Sequence, residues 1–298
     1  DSYPFFSSTS ARMAVHFESF AREVIGRRVG NDDPFVVEIG SNDGIMLRHF
    51  LRAGIRHLGI EPSANVAATA QAEGIQTLCR FFDSELAGEI VARHGQADAF
   101  LGANVMCHIP YIHSVVAGIK ILLKPTGYVL FEDPYLGDIV AKTAYDQIYD
   151  EHAFYFSLMS VQHLFSRHGM EVVDVQPQNV HGGSMRYIIA HQGAYPPTEA
   201  VRALAERERE QRLDRRDTFD LFRRNVEKSR HDLIGLLQGL RGEGREVAGY
   251  AATSKSTTVL NYCGITPELL PYISDTTPMK QGKFSPGVHI PIRPYETF

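Results

Sequence analysis

Cysteine is scarce in this chain, and what there is stands alone. Cys79, Cys107 and Cys263 form no CxxC pair and have no histidine at metal-ligand spacing. That argues against a zinc site held by these residues and fits a reduced, cytoplasmic setting. Long apolar runs are also missing; none approaches the ~20 residues that a membrane span needs. There is no surplus of positive charge: 30 Lys and Arg face 35 Asp and Glu, for a net charge of −5. This speaks against a nucleic-acid or membrane-surface partner. No signal peptide opens the chain, which begins at Asp1 without a methionine, so a fragment or a trimmed numbering is expected. Neither G-x-G-x-x-G nor a P-loop G-x-x-x-x-G-K-[ST] occurs. The 298 residues, 44% hydrophobic and 22% charged, suffice for a substantial core in one large or two modest domains.

What is present centres on Phe35-Val36-Val37-Glu38-Ile39-Gly40-Ser41-Asn42-Asp43-Gly44. An apolar, β-branched run enters a turn with two glycines and continues into a helix-like stretch, Ile45 to Leu51. This reads as a buried parallel strand, a tight turn and a helix whose N–H groups face the turn. The glycines are expected to let a ligand approach where a Cβ would block it. A second acid, Glu61, closes the run His57-Leu58-Gly59-Ile60, about 20 positions beyond the glycine turn, where Rossmann-type sheets hold ribose hydroxyls. An adenosine ligand is implied. A dinucleotide pyrophosphate wants a third close approach and few acids, whereas S-adenosylmethionine carries a sulfonium cation and tolerates them. E-x-G-x-x-x-G is the methyltransferase form of the turn. A nicotinamide enzyme and a turn without ligand are the other readings.

The rest of the chain keeps an α/β rhythm. Ala11–Ile25 has a helical face. Ala64–Glu73, Glu85–His94, His113–Leu123 and Val161–His168 are expected helices. Ile75–Cys79, Ala97–Asn104, Gly127–Glu132, Met170–Val175 and Met185–Ala190 are expected strands, the last two as a hairpin. Pro196-Pro197 breaks the pattern, and Thr198–Leu240 is one long amphipathic helix or a pair. Val247–Ser256 then opens a second strand–turn–helix unit, with Tyr272–Asp275 as its next strand. Its turn, with Thr253, Ser254 and Lys255, suits phosphate. The expected division is residues 1–195 for a methyl-donor domain and 196–298 for a helical linker plus an incomplete second Rossmann-like unit.

In an open α/β sheet the ligand lies beyond the carboxyl ends of the strands. Asn104, Cys107, His108 and Tyr111 follow the fourth strand; Glu132, Asp133, Tyr135 and the segment Tyr145–His152 follow the fifth. If Tyr149–His152 is helical, Tyr149 and His152 share a face; if it is extended, Tyr149 and Glu151 do.

The segments VEIGSNDGIMLR, HLGIEPS, NVMCHIP, FEDPYLGDIVAKTAYDQIYDEH, VHGGSMRY, GYAATSKS and SDTTPMKQGKFSPGVHIPIRP resemble the sugar C-methyltransferases of antibiotic biosynthesis. That family acts on TDP-linked 4-keto-deoxysugars. The likeness is strongest to the enzyme that adds a branching methyl at C-3 of an amino-keto sugar on the way to tetronitrose. It implies His152 as base, with Tyr149, Tyr3 or His108 as enolate or substrate donors and Glu151 orienting a polar partner. Glu38, Gly40, Asn42, Glu61, Pro62 and Asn104 would hold S-adenosylmethionine. His181, Gly182, Gly183, Thr253, Ser254 and Lys255 are candidates for the nucleotide diphosphate. The family's N-terminal four-cysteine zinc module has no counterpart here, so zinc belongs to a longer parent chain, and a C-terminal remainder is lacking too. A cytoplasmic monomer is expected. An O- or N-methyltransferase, or a non-catalytic nucleotide-sugar-binding protein, are the alternatives.

Overall fold

A computed structural model describes residues 6–30 and 32–297. The chain divides into two compact units. The first runs to Tyr135 and resumes over Ala153–Glu210; the second takes Leu136–His152 and the chain from Gln211 onward. Both differences from the expected division have a physical origin. The boundary moves from 195/196 to 210/211 because the helix after Pro196-Pro197 packs on the first unit's sheet. Residues 136–152 follow the fifth strand in sequence but cluster with the C-terminal part.

In the first unit, helix α1 (Ala11–Arg27) precedes β1 (Phe35–Ile39), α2 (Leu47–Arg52), β2 (Arg56–Ile60), α3 (Ala64–Ala72), β3 (Thr77–Leu78), α4 (Ser84–His94), β4 (Ala97–Ala103), α5 (Ile112–Leu122) and β5 (Leu123–Pro134). The second unit contributes α6 (Leu136–Lys142), and the first resumes with α7 (Leu158–Ser166), β6 (Met170–Gln178), β7 (Ser184–His191) and α8 (Glu199–Glu210). The seven strands are ordered β3-β2-β1-β4-β5-β7-β6, with β7 antiparallel to both neighbours and the others parallel. This is the Rossmann-like methyltransferase sheet with the antiparallel edge hairpin read from the sequence.

Strand β1 explains why the sheet is covered on both faces. All five of its residues are buried. Phe35, Val37 and Ile39 join the core formed with α4, α5 and α7, while Val36 joins the core formed with α1 and α2. The alternation follows from the two-residue repeat of a strand. Three of these helices have side-chain caps: Ser10 caps α1, Asp83 caps α4, and Ser157 forms a capping box with Ser160 on α7.

The second unit carries α9 (Arg216–Gly242), β8 (Gly249–Tyr250), α10 (Ser254–Cys263), β9 (Ile273–Asp275) and β10 (Ile292–Pro294). The charged stretch is thus a pair of helices, α8 and α9, parted by a turn in which Arg212 has φ +53°. The three short strands form a parallel sheet ordered β10-β9-β8. Its core gathers Leu237, Leu260, Cys263, Ile265, Leu270, Ile273 and Ile290. Among the described residues no helix is long and apolar enough to cross a membrane.

Candidate active site

The glycine turn lies at the carboxyl end of β1, between β2 and β4. Gly40, Asn42 and Gly44 have φ of +59°, +49° and +77°, left-handed backbone that glycine and asparagine accept most readily. A Cβ on Gly40 would stand 2.6 Å from Val105 Cγ2, and one on Gly44 would stand 2.0 Å from Ile75 Cδ1. The space beside these glycines is therefore filled by the chain's own side chains. Backbone geometry and packing, rather than a ligand's approach, account for both. Helix α2 begins at Leu47, three residues past Gly44, and not at the turn itself; the Arg48 N–H already donates to Gly44 O.

Acids crowd this turn. Glu38, Asp43 and Glu61 are all buried. Burial pushes Glu38 well above the usual carboxyl range, and the neighbouring Glu61 and Asp43 push it further. Glu61 accepts from the Asn42 N–H at 3.1 Å and the Ser63 N–H at 2.8 Å, so it braces the turn against the start of α3. Pro62 continues the chain from it, and its carbonyl accepts from the Cys79 thiol. Among the described residues, Glu38 Oε2 and Asp43 Oδ1 are buried acceptors that receive no hydrogen bond. Such acceptors suit a ligand bearing positive charge and N–H groups, as S-adenosylmethionine does.

Two side chains of the turn also hold the segment before α1, a link that sequence reasoning missed. Asn42 Oδ1 accepts from the Ser7 N–H at 2.9 Å, and Asp43 Oδ2 accepts from the Ser8 N–H at 3.0 Å and the Ser8 hydroxyl. Tyr3 lies outside the described residues.

At the tips of β4 and β5, Asn104 takes φ +52° and donates its N–H to Glu132 O at 2.7 Å. His108 ends a short 3-10 turn, Met106–His108, where burial lowers its pKa. Asp133 is fully buried; burial pushes it up to about 8, against hydrogen bonding from Cys107 that acts to lower it. Glu132 behaves oppositely. Burial alone would raise it, but His16 and Arg186 outweigh that and hold it below the usual range. His181, Gly182 and Gly183 form the β6–β7 turn, all with positive φ, and Gly183 O accepts from the Tyr135 N–H.

In the second unit, Tyr149–His152 is neither helical nor extended. It is a tight turn closed by the His152 N–H donating to Tyr149 O at 3.0 Å, with the two rings 4.2 Å apart. Tyr149 and His152 therefore share a face. His152 is buried, and its Nδ1 lies 3.0 Å from the Gln147 carbonyl oxygen. A carbonyl only accepts, so Nδ1 carries the hydrogen and the neutral ring keeps its lone pair on Nε2. The Gln147 carbonyl is thus an orienting group that residue types alone do not reveal.

Helix α10 starts at the second turn. Thr253 accepts from the Ser256 N–H at 3.1 Å, and Ser256 Oγ accepts from the Thr253 N–H at 2.8 Å, a capping box that occupies the Thr253 hydroxyl. Lys255 is half-buried; burial lowers its pKa against the raising effect of Asp146. A cavity of about 540 Å³ brings Tyr149 and Glu151 together with Ser254, Thr257, Thr258 and Asn261. The candidates for the diphosphate are divided: His181–Gly183 belong to the first unit, Thr253–Lys255 to the second. Asp275, at the end of β9, accepts from the Ala252 N–H at 2.8 Å and the Thr277 N–H at 2.7 Å. Sequence reading passed it over, although an acid after the next parallel strand is the same signal that found Glu61.

Comparison with known proteins gives the family. A family described as "Methyltransferase domain" matches residues 15–175, and "C-methyltransferase C-terminal domain" matches residues 179–298. The C-methyltransferase NovU of Streptomyces niveus is 36% identical over 291 residues, 97% of this chain and 69% of that protein. Among solved structures, the magnesium protoporphyrin IX methyltransferase of Synechocystis PCC 6803 is 13% identical, with a TM-score of 0.48, covering 64% of this chain and 90% of its own. A SAM-dependent methyltransferase of Archaeoglobus fulgidus is 13% identical, with a TM-score of 0.47, covering 60% and 94%. The chain belongs to the C-methyltransferases of the methyltransferase family, enzymes that take their methyl group from S-adenosylmethionine.

Proposed function

We propose that this enzyme methylates carbon: it deprotonates a position next to the ketone of a TDP-linked 4-keto-deoxysugar, at C-3, and the enolate takes the methyl group, giving a branched sugar for an antibiotic. The observation that carries this reading is the contact of His152 Nδ1 with the Gln147 carbonyl, 3.0 Å away. Carbon is a poor nucleophile, so a C–H beside a ketone needs a base. The Gln147 carbonyl leaves Nε2 of His152 as the basic nitrogen. A methyl transfer to oxygen or nitrogen would need little beyond proximity.

The other roles follow. Tyr149, whose ring lies against His152, donates toward the enolate oxygen, with His108 and Tyr3 as further substrate donors. Glu151 orients a polar group in the cavity it shares with Ser254. Glu38, Asn42, Glu61, Pro62 and Asn104 hold S-adenosylmethionine, which supplies an electrophilic methyl on a sulfonium, and Gly40 serves by giving the turn its left-handed backbone. Ser254 and Lys255 meet the diphosphate from α10, with Thr253 as the cap of that helix; His181–Gly183 contribute from the β6–β7 turn. The reading includes a cytoplasmic monomer, and zinc only in a longer parent chain.

The test is a reaction with methyl-¹³C S-adenosylmethionine and TDP-4-keto-6-deoxyglucose, read by carbon NMR. A new methyl carbon bonded to a quaternary or methine sugar carbon is expected. An O-methyl or N-methyl resonance would replace this reading with an O- or N-methyltransferase, and no transfer to any keto-sugar would remove it.

A further inference from the structure

Helix α8 is charged, with Arg202, Glu206, Arg207, Arg209 and Glu210 exposed. Its buried stripe is Val201, Leu204 and Glu208. Helical spacing calls for a third apolar side chain at the last position, yet a carboxylate stands there, 4% exposed. Burying a carboxylate costs several kcal/mol unless donors surround it. Glu208 has three. Oε1 accepts from the Tyr135 hydroxyl at 2.9 Å and the Leu158 N–H at 2.6 Å, and Oε2 accepts from the Met159 N–H at 3.0 Å. Leu158 and Met159 open α7, so the anion also meets the positive end of that helix.

These three donors mark one place in the chain's path. Tyr135 is the last residue of the first unit before the inserted segment 136–152, and α7 follows soon after the chain returns at Ala153. The return is held elsewhere too: the Phe154 N–H donates to Cys107 O at 3.0 Å, and Phe156 bridges to Tyr135. His152 is the last residue of the insertion, two positions before Phe154. Only the short segment 153–157 separates the candidate base from Leu158, the first α7 donor to Glu208, so a shift at the start of α7 is passed to that segment.

We propose that Glu208 is a positioning residue for the reaction: by holding Tyr135 and the start of α7 together, it fixes both ends of the insertion that terminates in His152. The inference rests on the reading of His152 as the base.

The test uses the full chain with S-adenosylhomocysteine and TDP-4-keto-6-deoxyglucose in deuterated water. It measures exchange of the hydrogen next to the ketone, normalised to the number of S-adenosylhomocysteine-binding molecules found by titration. Displacement of a reacting group by about 1 Å can cost ~100-fold in rate. Glu208→Ala is accordingly expected to lower normalised exchange about 10- to 100-fold while S-adenosylhomocysteine affinity stays within about twofold. Glu208→Gln, which keeps an acceptor for Tyr135 and Leu158, should recover most of the loss. Tyr135→Phe should lose about 3- to 10-fold, in line with one hydrogen bond. A purely structural role would reduce the binding-competent fraction and leave normalised exchange at the wild-type level, which overturns the proposal. If Glu208→Ala does not fold, Tyr135→Phe decides, and wild-type exchange in it is the contrary result. Absence of exchange in the wild type, or its survival in His152→Ala, would instead remove the reading of His152 beneath the proposal.

Discussion

The molecule contains the same local device twice. In the first unit β1 enters a turn, a helix follows, and Glu61 at the end of β2 accepts from the Asn42 N–H of that turn. In the second, β8 enters a turn, α10 follows, and Asp275 at the end of β9 accepts from the Ala252 N–H. Charge separates them. The first turn gathers Glu38, Asp43 and Glu61, with Glu38 pushed toward its neutral form by burial. The second has Lys255 on its helix, and Lys280 lies 3.4 Å from Asp275. Burial alone would raise Asp275, but the N–H groups of Thr277 and Ala252 and the Lys280 cation outweigh it and hold the carboxyl low. The comparison teaches that one backbone device can carry opposite charge: acids gather at the first turn, which on the proposed reading suits a cationic methyl donor, and lysines stand at the second, which on that reading suits an anionic diphosphate.

The largest effect should come from a residue outside both turns. His152→Ala is expected to slow methyl transfer about 10²- to 10⁴-fold, the usual loss of a general base. Titrations should show both ligands still binding. A large loss of either affinity would put His152 in a binding role and break the division of labour.

Glu61→Ala tests the acidic turn. Loss of a charged acceptor is worth ~1.5–3 kcal/mol, or about 10- to 150-fold in the dissociation constant of S-adenosylmethionine. Part of that would come from the freed Asn42 and Ser63 N–H groups, so Glu61→Gln should lose less. Calorimetry that finds unchanged affinity would move the adenosine elsewhere.

Lys255→Ala tests the cationic turn. The KM for the sugar nucleotide should rise about 10-fold, with S-adenosylmethionine affinity unchanged. An equal weakening of both ligands would mean that the turns are not selective.

The last prediction concerns stability and not ligands. Asp133 has a folded pKa of about 8, raised from 3.8 by burial. A carboxyl with a raised folded pKa contributes stability below its unfolded value and loses it as pH rises through the folded value. Between pH 4 and 8 stability should therefore fall, by at most about 1.4 kcal/mol per pH unit from this group. Asp133→Asn should flatten that part of a denaturation profile; an unchanged slope would assign the loss to other groups.

Much of the fold was legible because strands of a doubly covered sheet read as continuous apolar runs, and Phe35–Ile39 is such a run. Glu61 was legible from its distance beyond the glycine turn. The membership of residues 136–152 in the second unit was not, since periodicity reports which face is apolar and says nothing about the distant partner. Nor was the Gln147 carbonyl legible, because backbone orientation leaves no mark in residue types. Glu208 had a visible signal, a carboxylate at the apolar register of α8, and only its donors gave it meaning.

The central claim is that this enzyme makes a carbon nucleophile before it transfers a methyl group. Incubation of the wild type with S-adenosylhomocysteine and TDP-4-keto-6-deoxyglucose in deuterated water isolates that step, because no methyl group can move. Deuterium should enter the sugar at the carbon next to the ketone, and His152→Ala should abolish the exchange. A wild-type enzyme that binds both ligands and incorporates no deuterium would contradict the account.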